Sequence, residues 1–181
     1  MTTVDRLIQR WRIFKAAAHI PRGATVLDIG CSDGAMFKLV RHITRGIGID
    51  PLLTEPQTLE NARLLPGLFP DALPDGDVFD VITMLAVLEH VPREQQRVLA
   101  LNCASRLRSG GRVIVTVPSP AVDRILDVLR ALRLIHGMSL EQHYGFKPDE
   151  TPASFIAAGF TVGVRERFQF GLNNLFVFSK R

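Results

Sequence analysis

Cysteine, tryptophan and tyrosine are scarce in this sequence of 181 residues. The two cysteines, Cys31 and Cys103, show no CxxC spacing, so neither a disulfide framework nor a thiolate zinc site is predicted. Glu141 and His143 are candidate metal ligands, but no third ligand accompanies them, and we predict no metal site. The chemistry of the chain must therefore come from other side chains and from its loops.

The sequence also lacks a long apolar run and a cluster of basic residues. No apolar stretch approaches the roughly 20 residues that span a bilayer, and the first residues show no signal-peptide core. We therefore expect a cytoplasmic protein with no transmembrane segment. The formal net charge of +4 comes from 22 basic and 18 acidic residues, and the basic ones are scattered. Nucleic acid is therefore not a favoured partner.

Segments typical of strands and of helices alternate along most of the chain. An apolar run at 24–29 stops at a glycine, and a helical pattern resumes at 35–42. Because short glycine or proline turns separate these segments, we predict an α/β fold with a parallel sheet and right-handed crossovers. Further strands are predicted at 46–49, 78–85 and 112–117, and further helices at 4–20, 93–107, 122–135 and 151–158.

The end of the chain and one internal stretch depart from this alternation. The segments 160–168 and 175–179 are two predicted strands joined by a glycine-containing turn, which indicates a C-terminal antiparallel hairpin. The stretch 56–74 contains four prolines and has no clear assignment. The length suits one domain, which we expect to comprise residues 1–181.

Two amphipathic helices admit more than one use. We predict that the N-terminal helix, within residues 1–22, caps the sheet, although its basic side chains would also suit an anionic membrane surface. The helix at 122–135 is predicted to cover the core, and its alternatives are a lid over a binding pocket or the surface of a homodimer. The basic residues of the first helix are Arg6, Arg10, Arg12 and Lys15.

The segment with the clearest chemical meaning is a glycine turn between the first strand and the helix after it. It runs Gly30-Cys31-Ser32-Asp33-Gly34. Glycine lets a ligand approach the backbone closely, and the free N–H groups at a helix N-terminus bind polar groups. Asp50 ends the next strand, where a carboxylate can bind the two hydroxyls of a ribose. Turn and acid together predict a nucleoside-binding site.

Three interpretations of this turn compete. The dinucleotide fingerprint GxGxxG fails, because the spacing here is GxSxG. That spacing matches the nucleophile elbow of the α/β hydrolases, but only about 30 residues precede Ser32, too few for the strands that complete such a site. The third interpretation rests on the similarity of several ordered motifs to one known family.

Residues 26–34, Val-Leu-Asp-Ile-Gly-Cys-Ser-Asp-Gly, resemble the first motif of the class I S-adenosylmethionine-dependent methyltransferases. That motif is an apolar pair, an acid and then GxGxG. Asp28, Gly30 and Gly34 match it, and Ser32 replaces the middle glycine. Further segments that resemble the family's motifs follow in the family's order, at 46–50, 79–82, 88–91, 107–113, 143–146 and 158–160. Several ordered motifs are far more specific than one.

The resemblance implies a Rossmann-like, doubly wound and mostly parallel sheet of seven strands that ends in the antiparallel hairpin. It implies S-adenosylmethionine as the cofactor. The cofactor-binding residues that it implies are Asp28, Gly30, Cys31, Ser32, Gly34, Asp50, Pro51, Phe69, Met84 and Leu85. Residues 67–71 depart from the family's usual Gly-Asp-Ala, so Phe69 would pack on the adenine and Asp71 would supply the acid near the adenine amine.

The resemblance also implies methyl transfer to an oxygen or nitrogen of a small or medium-sized acceptor. In-line displacement from a sulfonium needs orientation more than catalytic side chains. His143, within a predicted substrate-cover segment at 119–149, and His90 are the candidate bases. The alternatives are a non-catalytic, nucleoside-binding partner of another enzyme and an RNA methyltransferase. The scattered basic residues and the absence of a Pro-Pro-Tyr motif after the fourth strand weigh against RNA.

Overall fold

The computed structural model describes residues 3–119 and 148–181. Two short 3-10 turns, Leu88–His90 and Pro148–Glu150, lie among the regular elements. The helices are α1 (Thr3–Ala17), α2 (Ala35–Leu39), α3 (Arg93–Arg106) and α4 (Thr151–Ile156). The strands are β1 (Thr25–Ile29), β2 (Arg45–Asp50), β3 (Gln57–Thr58), β4 (Ala62–Pro66), β5 (Phe79–Leu85), β6 (Leu107–Pro118), β7 (Phe160–Phe168) and β8 (Asn173–Lys180).

The described strands form a single eight-stranded sheet in the order β3-β4-β2-β1-β5-β6-β8-β7. Neighbours among β4, β2, β1, β5 and β6 are parallel. By contrast, β3 pairs antiparallel with β4, and β8 pairs antiparallel with both β6 and β7. The predicted fold class, a mostly parallel sheet with a C-terminal antiparallel hairpin, is therefore confirmed. The strand beyond the predicted seven is β3, whose two residues extend the edge of the sheet.

The direction of the strand order changes at β1, which has β2 on one side and β5 on the other. Leu27 of β1 pairs with Ile47 of β2 and with Ile82 of β5. In open α/β sheets, ligands bind in the crevice outside the carboxyl ends of the strands at such a point. The topology thus indicates the edge of β1 and β5 as the place of a binding site.

Several element bounds differ from the predictions, and three parts of the chain show how. Helix α2 ends at Leu39 rather than at residue 42, because the N–H of Val40 closes the last turn on Met36 O at 2.9 Å. The unassigned stretch 56–74 contains β3 and β4, and the parallel register with β2 makes β4 a strand despite the prolines around it. Strand β6 begins before the predicted residue 112 and includes the paired glycines. The predicted helix at 122–135 lies outside the described residues.

A hydrophobic core lies on each face of the sheet. On one face, Phe155 of α4 stacks on Phe178 of β8 with a centroid distance of 4.2 Å and meets Phe160 of β7 edge-on at 5.8 Å. On the other face, α1 packs on the sheet through Ile13 and Ala16, which are both buried. Helix α1 therefore covers part of this face of the sheet.

Candidate active site

The glycine turn at 30–34 joins β1 to α2 in a conformation that depends on its glycines. Gly30 and Gly34 have φ angles of 76° and 73°, in the left-handed region that side chains disfavour. A Cβ on Gly30 would lie 2.3 Å from Val87 Cγ2, and one on Gly34 would lie 2.8 Å from Leu59 Cδ1. The turn therefore brings bare backbone to the carboxyl edge of the sheet.

Ser32 stands in the middle of the turn with a φ of 49°, also in the left-handed region. This geometry gives a physical reason why the family motif has a glycine at that position. The N–H of Ser32 donates to Asp50 Oδ2 at 2.7 Å. The turn is thus fixed against the end of β2, and serine adopts the conformation that glycine would have.

Asp50 is a buried carboxylate at the end of β2. Its Oδ2 accepts the Ser32 bond, and its Oδ1 accepts a bond from the N–H of Leu52 at 2.8 Å. A carboxylate offers about four lone-pair positions, so both oxygens keep the capacity to accept another hydrogen bond. Asp50 is therefore held in one orientation and retains the acceptors that two ribose hydroxyls require.

Asp28 is buried at the end of β1, just before the turn. The hydroxyl of Thr83 on β5 donates to Asp28 Oδ1 at 2.6 Å. Burial raises the pKa of Asp28 to about 7, the hydrogen bond from Thr83 opposes this rise, and the negative charge of Asp50 adds to it. Near neutral pH, Asp28 therefore exchanges between its neutral and its ionised form.

The raised pKa of Asp28 predicts a pH dependence of stability. Because its value in the folded protein, about 7, exceeds the ordinary value of 3.8, the folded state binds more protons between these pH values. The stability that this group contributes is fully present below about pH 4, and the free energy of unfolding falls as pH rises to about 7. Asparagine has nearly the same shape as aspartate and does not ionise. We therefore expect the free energy of unfolding of Asp28→Asn not to show this decline with pH.

Urea unfolding at about pH 5 and about pH 8 measures the effect of Asp28→Asn on the free energy of unfolding. The matched control is Asp33→Asn, because Asp33 belongs to the same turn but has an exposed side chain. The control is expected to keep the decline of the unmodified protein. An equally steep decline in Asp28→Asn would contradict the assignment of the raised pKa to Asp28.

A cavity of about 200 Å³ lies between the glycine turn and α1. The end of β5 and the first residues of α2 complete its walls. It therefore opens at the edge of β1 and β5 that the topology indicates. Its lining residues are Gln9, Arg12, Ile13, Asp28, Gly30, Cys31, Ser32, Ala35, Met36, Leu85 and Ala86.

Arg12 is a cavity residue that the sequence predictions did not assign to the site. Its Nε is buried and has no hydrogen-bond partner among the residues that the structure describes. Burial lowers the pKa of the Arg12 guanidinium, and the negative charge of Glu89 opposes this effect. Helical spacing could have indicated its position, since residue 12 shares a face with the buried Ile13 and Ala16.

The structure brings part of the predicted cofactor-binding set together. Gly34, in the turn, and Asp50, whose carboxylate accepts a bond from the Ser32 N–H, are not among the residues that line the cavity. Met84 is fully buried in the core, because neighbouring strand residues point to opposite faces of the sheet and Leu85 faces the cavity. The predicted residues that line the cavity are Asp28, Gly30, Cys31, Ser32 and Leu85.

The other predicted site residues lie apart from this cavity or outside the described chain. Pro51 is exposed beyond β2, and Phe69 is partly buried against the core. His90 is exposed in the 3-10 turn that follows β5. His143, with residues 120–147 of the predicted cover segment, lies outside the described residues.

The described chain shows neither a metal-binding cluster nor a membrane span. Within residues 3–119 and 148–181, no group of three or more His, Cys, Asp or Glu side chains is arranged to hold a metal ion. Over the same ranges, no helix is both long and apolar enough to cross a bilayer.

At the cavity, burial raises the pKa of Cys31 to about 12, so this thiol stays protonated near neutral pH.

The strand order, the glycine turn and the acid at the end of β2 are those of a Rossmann-like, nucleoside-binding protein. A family model described as a methyltransferase domain matches residues 2–162. The chain therefore belongs to the methyltransferase domain family, and its fold and ordered motifs are those of the class I S-adenosylmethionine-dependent methyltransferases.

Curated relatives in this family differ in the acceptors that their names give. The ribosomal protein L11 methyltransferase of Bordetella parapertussis is 32% identical over 122 residues, which cover 63% of this chain and 36% of that protein. The ubiquinone biosynthesis O-methyltransferase of Nitrosococcus oceani is 31% identical over 143 residues, 71% of this chain and 59% of that protein. The chain thus spans less than two thirds of the length of either relative.

The same fold occurs in the crystal structure of the N-methyltransferase NodS from Bradyrhizobium japonicum in complex with S-adenosyl-L-homocysteine. The two structures superpose with a TM-score of 0.67 at 17% sequence identity. The match covers 99% of this chain and 88% of the NodS chain. The likeness extends over nearly the whole chain and concerns the fold.

The residues around the cavity fit the cofactor of this family. Gly30 leaves open backbone where a side chain would collide with Val87. Asp50 keeps acceptor capacity for hydroxyl groups beside the turn. Arg12 offers a buried donor that has no partner among the described residues. The cavity, together with the carboxylate of Asp50 beside the turn, therefore provides a cradle, an acceptor and a donor for a nucleoside that carries charged groups.

Proposed function

We propose that this chain transfers the methyl group of S-adenosylmethionine to an oxygen or nitrogen of a small or medium-sized acceptor. The observation that carries the proposal is the cavity of about 200 Å³ between the glycine turn and α1, at the carboxyl edge of β1 and β5. Asp50 is anchored beside it by the N–H of Ser32. Family membership supports the class of reaction.

In this proposal the chain mainly binds and orients. The bound cofactor would supply a methyl group on a positively charged sulfur. The oxygen or nitrogen of the acceptor attacks that methyl carbon in line, and the bond from carbon to sulfur breaks. Asp50 binds the ribose hydroxyls, and the turn at 30–34 receives the cofactor against its backbone. Leu85 and Cys31 line the cavity and give part of its wall an apolar character. Orientation of the two reactants in a dry pocket then lowers the barrier.

A base is needed only where the acceptor must lose its proton. His143 and His90 are proposed for this role, because imidazole titrates near neutral pH. His90 lies exposed in the 3-10 turn after β5, and the end of β5 at Leu85 lines the cavity, which supports His90 in this role.

The charges of the described surface favour a small acceptor over RNA. Binding to a nucleic acid backbone needs several cations that are available to phosphates. Many basic side chains here are instead paired with carboxylates, which neutralise them locally. The described pairs are Lys15 with Glu166, Lys38 with Asp33, Arg41 with Glu60, Arg45 with Asp77, Arg93 with Glu150, Arg106 with Asp75, Arg108 with Asp80 and Arg165 with Asp149.

Turnover with contrasting acceptors tests the proposal. The protein is incubated with S-adenosylmethionine and with a panel of phenols and catechols, a panel of amines, or transfer RNA, and S-adenosylhomocysteine is quantified. We expect formation that depends on a phenol, a catechol or an amine. Formation with transfer RNA alone would favour the RNA methyltransferase alternative. Cofactor binding without turnover on any of these acceptors would favour the non-catalytic alternative.

A further inference from the structure

We propose that Arg12 binds the α-carboxylate of the cofactor's methionine portion, so that α1 forms one wall of the cofactor site. The inference rests on the proposed function and adds a recognition residue to it. Three observations carry it: the position in which α1 holds Arg12, a buried nitrogen of Arg12 that has no described partner, and the charges that line the cavity.

Contacts that do not involve Arg12 hold α1 in place. The side-chain amide of Gln169 donates to Ile8 O at 2.9 Å, and Lys15 pairs with Glu166 on β7. Both anchors come from β7 and the turn that follows it. Arg12 lies between these two anchors, on the side of α1 that lines the cavity. Its placement beside the glycine turn is therefore a consequence of how α1 packs.

The Nε of Arg12 is buried without a hydrogen-bond partner among the described residues. A guanidinium keeps its charge at physiological pH, and a buried charged donor is stable only when an acceptor meets it. The cavity that adjoins Arg12 has room for a ligand group that accepts a hydrogen bond from the guanidinium. A carboxylate is the best geometric match, because its two oxygens accept two parallel N–H bonds from the guanidinium.

The cavity lining contains one basic and one acidic residue. Arg12 is the basic residue and Asp28 the acidic residue among its described lining residues. Glu89 adds a second negative charge near the guanidinium. The methionine portion of the cofactor is a zwitterion with one ammonium and one carboxylate. It therefore complements the lining when its carboxylate faces Arg12 and its ammonium faces the acidic side.

A purely structural role makes a different prediction. If Arg12 only balanced the charge of Glu89, its loss would affect folding and would weaken all ligands of the cavity alike. If Arg12 binds the carboxylate, its loss weakens only ligands that carry one. The comparison of two ligands that differ in this group alone separates the two roles.

Calorimetric titration with S-adenosylmethionine and with decarboxylated S-adenosylmethionine provides this comparison. We expect the unmodified protein to bind S-adenosylmethionine at least about 10-fold more tightly than decarboxylated S-adenosylmethionine, because a charge-assisted bidentate contact to the carboxylate is present only in the first complex. In Arg12→Gln the two affinities should agree within about 3-fold, with little change for the decarboxylated ligand. Arg12→Lys keeps the positive charge but lacks the two parallel N–H donors of a guanidinium. Its preference for S-adenosylmethionine over the decarboxylated ligand should therefore be intermediate. Arg10→Gln, on the exposed side of α1, is the matched control.

The outcomes distinguish this inference from the proposed function. Equal affinities in the unmodified protein, or an undiminished preference in Arg12→Gln or Arg12→Lys, would overturn the role of Arg12 and leave cofactor binding intact. If the folded, unmodified protein binds neither ligand, the proposed function fails first and the inference fails with it. Loss of the preference in Arg12→Gln, with the preference retained in Arg10→Gln, supports the assignment.

Discussion

Asp50→Asn is expected to lower the affinity for S-adenosylhomocysteine by about 10- to 100-fold, since a hydrogen bond to a charged group contributes about 1.5–3 kcal/mol and each 1.4 kcal/mol is tenfold. The carboxylate accepts bonds from the N–H groups of Ser32 and Leu52 and keeps acceptors for the ribose. An amide nitrogen cannot accept. In Asp50→Asn, the new side-chain NH₂ group would face the backbone N–H of either Ser32 or Leu52. The side chain would also lose acceptors for the ribose hydroxyls.

Calorimetric titration with S-adenosylhomocysteine measures the effect of Asp50→Asn. The control is Asp33→Asn, in the same glycine turn, because the Asp33 side chain is 65% exposed and pairs with Lys38 rather than with the cavity. The control should bind as the unmodified protein does. An unchanged affinity in Asp50→Asn, or an equal loss in both variants, would contradict the ribose-binding role.

Phe155→Ala is expected to lower the free energy of unfolding by about 3–5 kcal/mol, the usual effect of deleting a fully buried aromatic ring. Phe155 is fully buried in the core. It stacks on Phe178 at 4.2 Å and meets Phe160 edge-on. The ring therefore ties α4 to both strands of the C-terminal hairpin, and its loss leaves a cavity that these neighbours cannot fill.

Urea unfolding of Phe155→Ala beside Phe170→Ala tests this expectation. Phe170 is 95% exposed at the turn between β7 and β8, and its described ring contact is an edge-on one to Trp11 at 6.0 Å. Its replacement should change the free energy of unfolding by no more than about 0.5 kcal/mol, as is usual for a surface position. Similar losses in the two variants would refute the account of the core.

Much of the fold could be predicted because its signals are local. The run at 24–29 is apolar and ends at Gly30, so β1 and the turn after it are evident from the sequence. The hairpin of β7 and β8 also follows from two strand-like segments around a glycine. By contrast, β4 is fixed by its pairing with β2, a contact that no local pattern reveals.

The site could be predicted where a motif carries it and not where packing decides. Asp28, Gly30 and Asp50 follow from the spacing of the turn and the acid. Arg12 belongs to a helix that is distant in sequence, and only the packing of α1 on the sheet brings it to the cavity. The resemblance implies Met84 as a cofactor-binding residue from its place in a motif, whereas strand alternation directs its side chain into the core.

The central claim is that the cavity beside the glycine turn binds S-adenosylmethionine and not a dinucleotide. Calorimetric titration of the unmodified protein with S-adenosylhomocysteine, alongside a titration with NAD, tests it most directly. The account predicts saturable binding of S-adenosylhomocysteine and no measurable binding of NAD. Failure of a folded sample to bind S-adenosylhomocysteine, or comparable binding of NAD, would contradict it.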